Sequence, residues 1–436
     1  MKEPKLLSEL KAETEKCVRC GTCRSICPTF RVIGRETASA RGKLSLIRAY
    51  REGEIGLTEN YLRHIKECTL CGGCRDACPS GVDTVEVFQA ARADAVAREG
   101  LPFAASFVLK NMLDYTTLSA RALKFVTRFK GLVFKDSATE HGLLSRFSLP
   151  LIGNNRLVPE LADTFFLDLP EVKRLAANPG TGRAGGAGAE RAGKKTARVA
   201  FYAGCGVNFL MPNVGVASIK AVQKTDSEVV VPPGQVCCGM PAFYMGDVET
   251  ARALALKNLE AFEAVEADYI ATSCATCSHG LKNVFRKLLS SEDPALEKRV
   301  DAFCSRIRDI TELLAGELRF EGGGKGRDRQ VVTYHDPCHL NRNQGIRSQP
   351  RELLKGTADL EFREMKFPCS CCGLGGGLSL FNYDLSMEIA ERKAESIRAT
   401  GADVVATACP GCIVQLRDAL HRYGVRAKVA HVVELL

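Results

Sequence analysis

The chain has no tryptophan and only seven histidines in 436 residues. It also lacks any stretch approaching the roughly 18–20 apolar residues that a membrane-spanning helix needs. Contact with a membrane is therefore expected to be peripheral or through a partner. Met1–Lys16 is charged and helical in pattern, without the apolar core of a signal peptide. The expected location is cytoplasmic, at most peripheral at the inner face of the membrane. Gly322–Lys325 (GGGK) has no Ser or Thr after its lysine and is no phosphate loop. Gly373–Gly377 (GLGGG) follows a Cys-Cys pair and lacks the spacing of a dinucleotide fingerprint. With no flavin or nicotinamide site, the chain is not expected to oxidise an organic substrate unaided.

Charge excludes less. Lys plus Arg outnumber Asp plus Glu by 60 to 51, a formal +9. Residues 101–197 hold 14 basic and 8 acidic side chains, which is +6 of that excess. An anionic surface or an acidic partner would suit such a segment. Stacking aromatics are not interleaved in a nucleic-acid motif, so no nucleic-acid partner is expected.

What the chain does have is cysteine, twenty in all. A disulfide scaffold would be short and loop-rich. This chain is long and well patterned, and its cysteines come in tight clusters, so metal or cluster ligation in a reducing compartment is the better reading. The layout is multidomain α+β. Residues 1–100 form a first unit, and 101–197 a mostly helical basic segment ending in a Gly/Ala linker (178–196). Two copies of a βα repeat follow, at 198–321 and 327–436, with a mainly parallel sheet expected in each.

The first unit contains Cys17-x2-Cys20-x2-Cys23-x3-Cys27-Pro28 and Cys68-x2-Cys71-x2-Cys74-x3-Cys78-Pro79. Three thiolates on a short loop wrap three corners of a [4Fe–4S] cube, and in two-cluster ferredoxins the fourth cysteine serves the other cluster. Cys17, Cys20, Cys23 and Cys78 are thus assigned to one cluster, and Cys68, Cys71, Cys74 and Cys27 to the second. Paired zinc sites are the competing reading, but zinc pairs do not usually come as triplets with a trailing Cys-Pro. The intervening helical runs, near Ala40–Arg51 and Thr58–Lys66, resemble the helical ferredoxins of respiratory enzymes. Arg41 and Lys43 would then lie near anionic clusters.

The two repeats place Cys205, Cys237-Cys238-Gly239 and Cys274-x-x-Cys277 in one copy, and Cys338, Cys371-Cys372-Gly373 and Cys409-x-x-Cys412 in the other. Soft thiolates select iron–sulfur, zinc or copper(I). Five of them exceed what one tetrahedral zinc uses. Segments such as QVCCGMPAFYMGD, YHDPCHLNRNQGI, SCCGLGGG and ATACPGCIVQL resemble the cysteine-rich CCG domain family. The order after a double ferredoxin unit is similar to the iron–sulfur subunits of glycolate oxidase and D-lactate dehydrogenase or lactate-utilisation proteins, and to the catalytic subunit of heterodisulfide reductase. The resemblance implies one or two further [4Fe–4S] clusters, non-cubane in form, held by the five cysteines of each repeat, with zinc at one of the two sites as the alternative.

Two cysteines remain. Cys304 reads as an inert core thiol, and Cys369 as a bystander, an alternative ligand or a redox thiol. His279, His335 and His339 flank repeat cysteines, where they would tune a cluster or simply be satisfied by backbone groups. Leu118, Ala122, Phe125, Phe129 and Leu132 form a helical stripe, with Arg121, Lys124, Arg128 and Lys135 largely off it. That stripe suits either docking or ordinary core.

Two functions are compatible with these features. One is an electron-transfer subunit serving a separate FAD-dependent D-2-hydroxyacid dehydrogenase, for D-lactate or glycolate, and passing electrons towards a quinone or a membrane electron-transfer protein. The other is a catalytic subunit reducing a disulfide, as in heterodisulfide reductase. No residue is assigned a catalytic role.

Overall fold

The computed structural model describes residues 7–115, 134–135, 142–145, 156–176, 190–191, 194–195, 197–290, 293–323 and 328–436. Residues 7–99 are helices and turns wound around the two cysteine runs. Ala40–Arg51 (α1) starts at Ser39, whose hydroxyl accepts the Gly42 N–H. Glu59–Lys66 (α2) starts at Thr58, which accepts from Tyr61, and Thr84–Glu99 (α3) at Asp83, which accepts from Glu86. Each cap satisfies a first-turn donor that has no partner inside the helix.

Beyond the helix Phe103–Met112, only parts of the segment expected to be mostly helical are described. Its described residues include three short antiparallel strands, 134–135, 143–145 and 157–158. Helical turns follow at Phe166–Asp168 and Pro170–Arg174. Tertiary contacts account for part of this. The Leu157 N–H donates to the Asp418 carboxylate at 2.9 Å, and Arg156 donates to the Ser379 carbonyl at 2.9 Å. The strand is thereby held against the second repeat, and such anchoring overrides local propensity. The stripe from Leu118 to Leu132 and most of the linker 178–196 lie outside the described residues.

From Arg198 onward the chain builds two four-stranded sheets, parallel throughout. The first contains Arg198–Tyr202 (β1), Glu228–Val230 (β2), Tyr269–Thr272 (β3) and Ile307–Asp309 (β4), in the order β2-β1-β3-β4. The second contains Gln330–Tyr334 (β5), Leu360–Phe362 (β6), Val404–Thr407 (β7) and Lys428–His431 (β8), in the matching order β6-β5-β7-β8. The inner strands are almost wholly buried. Helices cover both faces of such a sheet, which is why these strands read as continuous apolar runs rather than alternating ones. The long helices Val248–Glu263 (α4) and Tyr383–Arg398 (α5) occupy equivalent places in the two repeats.

The pieces are joined through α3. Gln89 donates to the Phe243 carbonyl. The Arg92 guanidinium, 4% exposed, reaches three parts of the molecule at once. It donates to the carbonyls of Ile65, Lys66 and Cys68 beside the second cysteine run. It also donates to Tyr244 of the first repeat and Gly376 of the second, both at 2.8 Å. Arg92→Met would leave five buried carbonyls without their donor, so a loss of roughly 3 kcal/mol or more is expected. Arg92→Lys should recover only part of it. Denaturant unfolding of the metal-loaded protein measures both; a Met variant as stable as the parent would refute this account.

Candidate metal centres

The two cysteine runs fold into near-copies of one loop. Arg19 and Gly21 in the first, and Leu70 and Gly72 in the second, all have left-handed φ between 50° and 86°. For Arg19 and Leu70 this conformation costs about 1–2 kcal/mol each, a strain typical of sites that clamp a ligand. Cys17, Cys20, Cys23 and Cys78 line one cavity, and Cys74 lines it too. Cys27, Cys68, Cys71 and Cys74 line a second. The cysteine before each proline thus sits with the triplet of the other run. Peptide N–H groups point at the sulfurs: Leu70 at Cys68 and Val82 at Cys78, both at 3.4 Å.

In the first repeat, Cys205 interacts with Cys237, which continues to Cys238, Cys277 and Cys274. In the second, Cys371, Cys372, Cys412 and Cys409 form the same chain, and the sulfurs of Cys372 and Cys412 are 3.9 Å apart. Cys338 joins them through the fields of Cys371 and Cys372. Thiol donors hold Cys238 and Cys372 well below the ordinary cysteine pKa: Cys237 and Cys277 for the former, Cys371 and Cys412 for the latter. Thiolates are the form that binds metal. Gly239 and Gly373 follow these pairs with φ of +76° and +99°. The pressure on them comes from the next helix, not from the cofactor side. A Cβ at Gly373 would lie 2.4 Å from the Ser386 carbonyl, and one at Gly239 3.0 Å from that of Ala251.

The four cysteine sets adjoin one another. Cys71 of the second run and Cys371 of the second repeat interact directly. Arg342 spans that junction, with Nη1 3.3 Å from the Cys71 carbonyl and 3.5 Å from its Sγ, and Nη2 3.0 Å from the Cys369 carbonyl. The repeats meet at their Cys-x-x-Cys loops. Cys274 interacts with Cys409, and the Ala275 N–H donates to the Ala408 carbonyl at 3.1 Å. A side-chain chain crosses the same seam, from Tyr244 Oη to His339 Nε2 (3.1 Å) and from His339 Nδ1 to Thr276 Oγ1 (2.9 Å).

Sequence reasoning anticipated Arg41 and Lys43. Arg41 lies in the field of Cys23 and Cys17. Lys43 is buried beside Cys68 and Cys27, its pKa pulled down by burial. Three other cations were missed: Arg92, Arg342 and Lys393. Burial brings the Lys393 ammonium down to about 8, with Cys372, Cys369 and Cys371 nearby. It donates to the Phe367 and Pro368 carbonyls. Lys43, Arg92 and Lys393 find no carboxylate hydrogen-bond partner among the described residues, only neutral groups. Buried cations beside crowded thiols need a countercharge. An anionic cluster supplies it, so the residues present fit [4Fe–4S] clusters. Their detectable sequence signal was a Lys or Arg on an otherwise apolar helix face, as with Lys393 between Ala390 and Ala394. Cys304 is fully buried and donates to the Leu281 carbonyl, whereas Cys369 is exposed.

Comparison with known proteins agrees with this geometry. A cysteine-rich domain family, CCG, matches residues 199–282 and 332–417, and a 4Fe-4S dicluster domain family matches 13–82. Lactate utilization protein A of Bacillus cereus is 31% identical over 242 residues, 55% of this chain and 98% of that protein. The chain belongs to the CCG-domain iron–sulfur proteins. Another relative, the probable glycolate oxidase iron-sulfur subunit of Bacillus subtilis, is 29% identical over 98% of this chain and 94% of its own length. A subunit of the fumarate reductase (CoM/CoB) of Methanothermobacter marburgensis is 28% identical over 96% of this chain and 71% of its own. The chain is an iron–sulfur component of an oxidoreductase, and its cofactors are [4Fe–4S] clusters. No helix among the described residues is long and apolar enough to cross a membrane.

The cavity linings lead to a crossed outcome on mutation. Cys27→Ser should remove the signal of the second, inner cluster and Cys78→Ser that of the outer one, each with about four iron per chain. EPR of the reduced variants distinguishes this from ligation within each run, where the two losses would be exchanged.

Proposed function

We propose that this chain is the electron-transfer subunit of a complex whose separate FAD-dependent dehydrogenase oxidises D-lactate or glycolate, and that it delivers electrons towards a quinone or membrane acceptor. In this reading Cys17, Cys20, Cys23 and Cys78 hold one [4Fe–4S] cluster, and Cys27, Cys68, Cys71 and Cys74 the next. Cys338, Cys371, Cys372, Cys409 and Cys412 hold a third, and Cys205, Cys237, Cys238, Cys274 and Cys277 a fourth. The corresponding units are 1–100, 198–321 and 327–436, with 101–197 between the first two. Each cluster exchanges one electron at a time, which divides a flavin's two-electron step into single ones.

The observation carrying the proposal is the unbroken contact between cysteine sets. Cys74 borders both quartet cavities, Cys71 meets Cys371, and Cys274 meets Cys409. The order is outer quartet, inner quartet, second repeat, first repeat. The outer quartet faces solvent, with Cys20 exposed and Val18 70% exposed beside it, which suits an electron port.

The Cys274–Cys409 contact also favours a second reading. Two adjoining centres could deliver two electrons to one disulfide bound at the seam. Metal analysis with low-temperature EPR, on chain purified without air, is the first test. About 16 iron per chain and a second class of signal beside the ferredoxin type are expected. About 8 iron, with zinc, would confine electron transfer to the N-terminal unit. Addition of the flavoprotein and D-lactate or glycolate should then reduce the clusters. If it leaves them oxidised while the chain alone reduces a heterodisulfide from an artificial donor, the second reading replaces the first.

A further inference from the structure

The two repeats are alike in cysteines but not in what surrounds them. The inner strands β1 and β5 end at Tyr202 and Tyr334. The next residue is Ala203 in one repeat and His335 in the other. His335 is 1% exposed, and neither ring nitrogen has a hydrogen-bond partner. One ring nitrogen and the sulfurs of Cys372 and Cys412 lie within 4.8 Å of one another. The Pro368 carbonyl is close enough to bias the ring, although it makes no hydrogen bond to it. His339 and His279, by contrast, each have partners: Tyr244 and Thr276 for the former, Asn283 for the latter.

Burying an imidazole with both nitrogens unpaired costs on the order of 1–3 kcal/mol for each orphaned group. A ligand in the space between His335, Cys372 and Cys412 removes that cost. The first repeat has no imidazole there: Ala203 stands at that place, its N–H donating to the Gln235 side chain, and the unpartnered polar atom in the field of Cys205 and Cys237 is the Tyr115 hydroxyl.

We propose that the second repeat holds its metal through a mixed imidazole–thiolate ligand set in which His335 is a ligand with Cys372 and Cys412, while the first repeat's set is thiolate alone. This rests on the reading that the second repeat binds metal. The metal taken is iron of a cluster, since imidazole and thiolate both suit iron; the same donors also suit zinc. With His335 beside the five cysteines, the imidazole takes an iron position that one thiolate would otherwise fill, and imidazole in place of thiolate raises a cluster's reduction potential. The second repeat's centre is therefore the more easily reduced of the two.

The test uses the full-length chain loaded without air. Pulsed EPR of the reduced protein should show a nitrogen coupling of the size found for a directly bonded imidazole, absent in His335→Ala. His335→Cys should restore the metal content, lack that coupling and shift the midpoint potential downward. If the second repeat holds zinc, X-ray absorption at the zinc edge should show a light-atom ligand that His335→Ala removes. A parent protein without strong nitrogen coupling, or with metal content and spectra unchanged in His335→Ala, overturns the proposal. If Cys372→Ser and Cys412→Ser also leave the metal content unchanged, the second repeat binds none, and the underlying reading falls with it.

Discussion

Arg92 is a buried cation with no salt bridge among the described residues, and the arrangement of the cysteine sets depends on where it points. Its donors are planar and fixed in direction, so the carbonyls of Cys68, Tyr244 and Gly376 must converge on one place. That convergence seats the GLGGG loop of the second repeat against the second cysteine run. Gly375 and Gly376 pack so closely on the Thr69 and Cys68 carbonyls that a Cβ would lie 2.3 and 2.4 Å from them. The glycine run therefore serves a domain junction. With that junction made, Cys71 and Cys371 are brought face to face. The guanidinium lies in the field of Cys68, and a thiolate there, as a bound cluster would require, would answer its charge, so assembly of the inner centre and docking of the repeats would reinforce one another.

The fold was legible where periodicity and spacing carried it. The repeat was visible because parallel strands buried on both faces read as short apolar runs, each ending at a cysteine. The helical runs expected near Ala40–Arg51 and Thr58–Lys66 are the helices Ala40–Arg51 and Glu59–Lys66. The short strands at 143–145 and 157–158 were not legible, because what holds Leu157 and Arg156 is Asp418 and Ser379, more than two hundred residues away in sequence. In the sites, the cysteines were legible because thiolate spacing is chemistry written locally. Of the cations around them, Arg41 and Lys43 were legible because they lie close in sequence to the cysteine runs, whereas Lys393 and Arg342 become neighbours of these cysteines only once the sheet order is known. His335, with both ring nitrogens unpaired, could not be told from His279 and His339 by sequence, since all three flank cysteines.

Duplication left the backbone of the repeats intact while the surroundings diverged. Where α5 of the second repeat carries Lys393, α4 of the first carries Asn258, whose amide accepts from Val236 and donates to the Cys237 carbonyl. One repeat thus meets its cysteines with a cation and an imidazole, the other with neutral amide and phenol groups. A cation beside one set of cysteines and only neutral groups beside the other is how one fold would give two metal centres unequal affinity for electrons.

The outer quartet differs from the other three sets in standing at the surface. Thiolates and cluster sulfur exposed to solvent are the first to meet oxidants, while Cys237, Cys238, Cys274 and Cys277 of the first repeat and Cys372, Cys409 and Cys412 of the second are buried. Damage by air should therefore advance from the rim inward. The Cys20 loop would fail first, cutting the protein off from its redox partners while the interior ligands stay intact and ready for repair of a single outer centre.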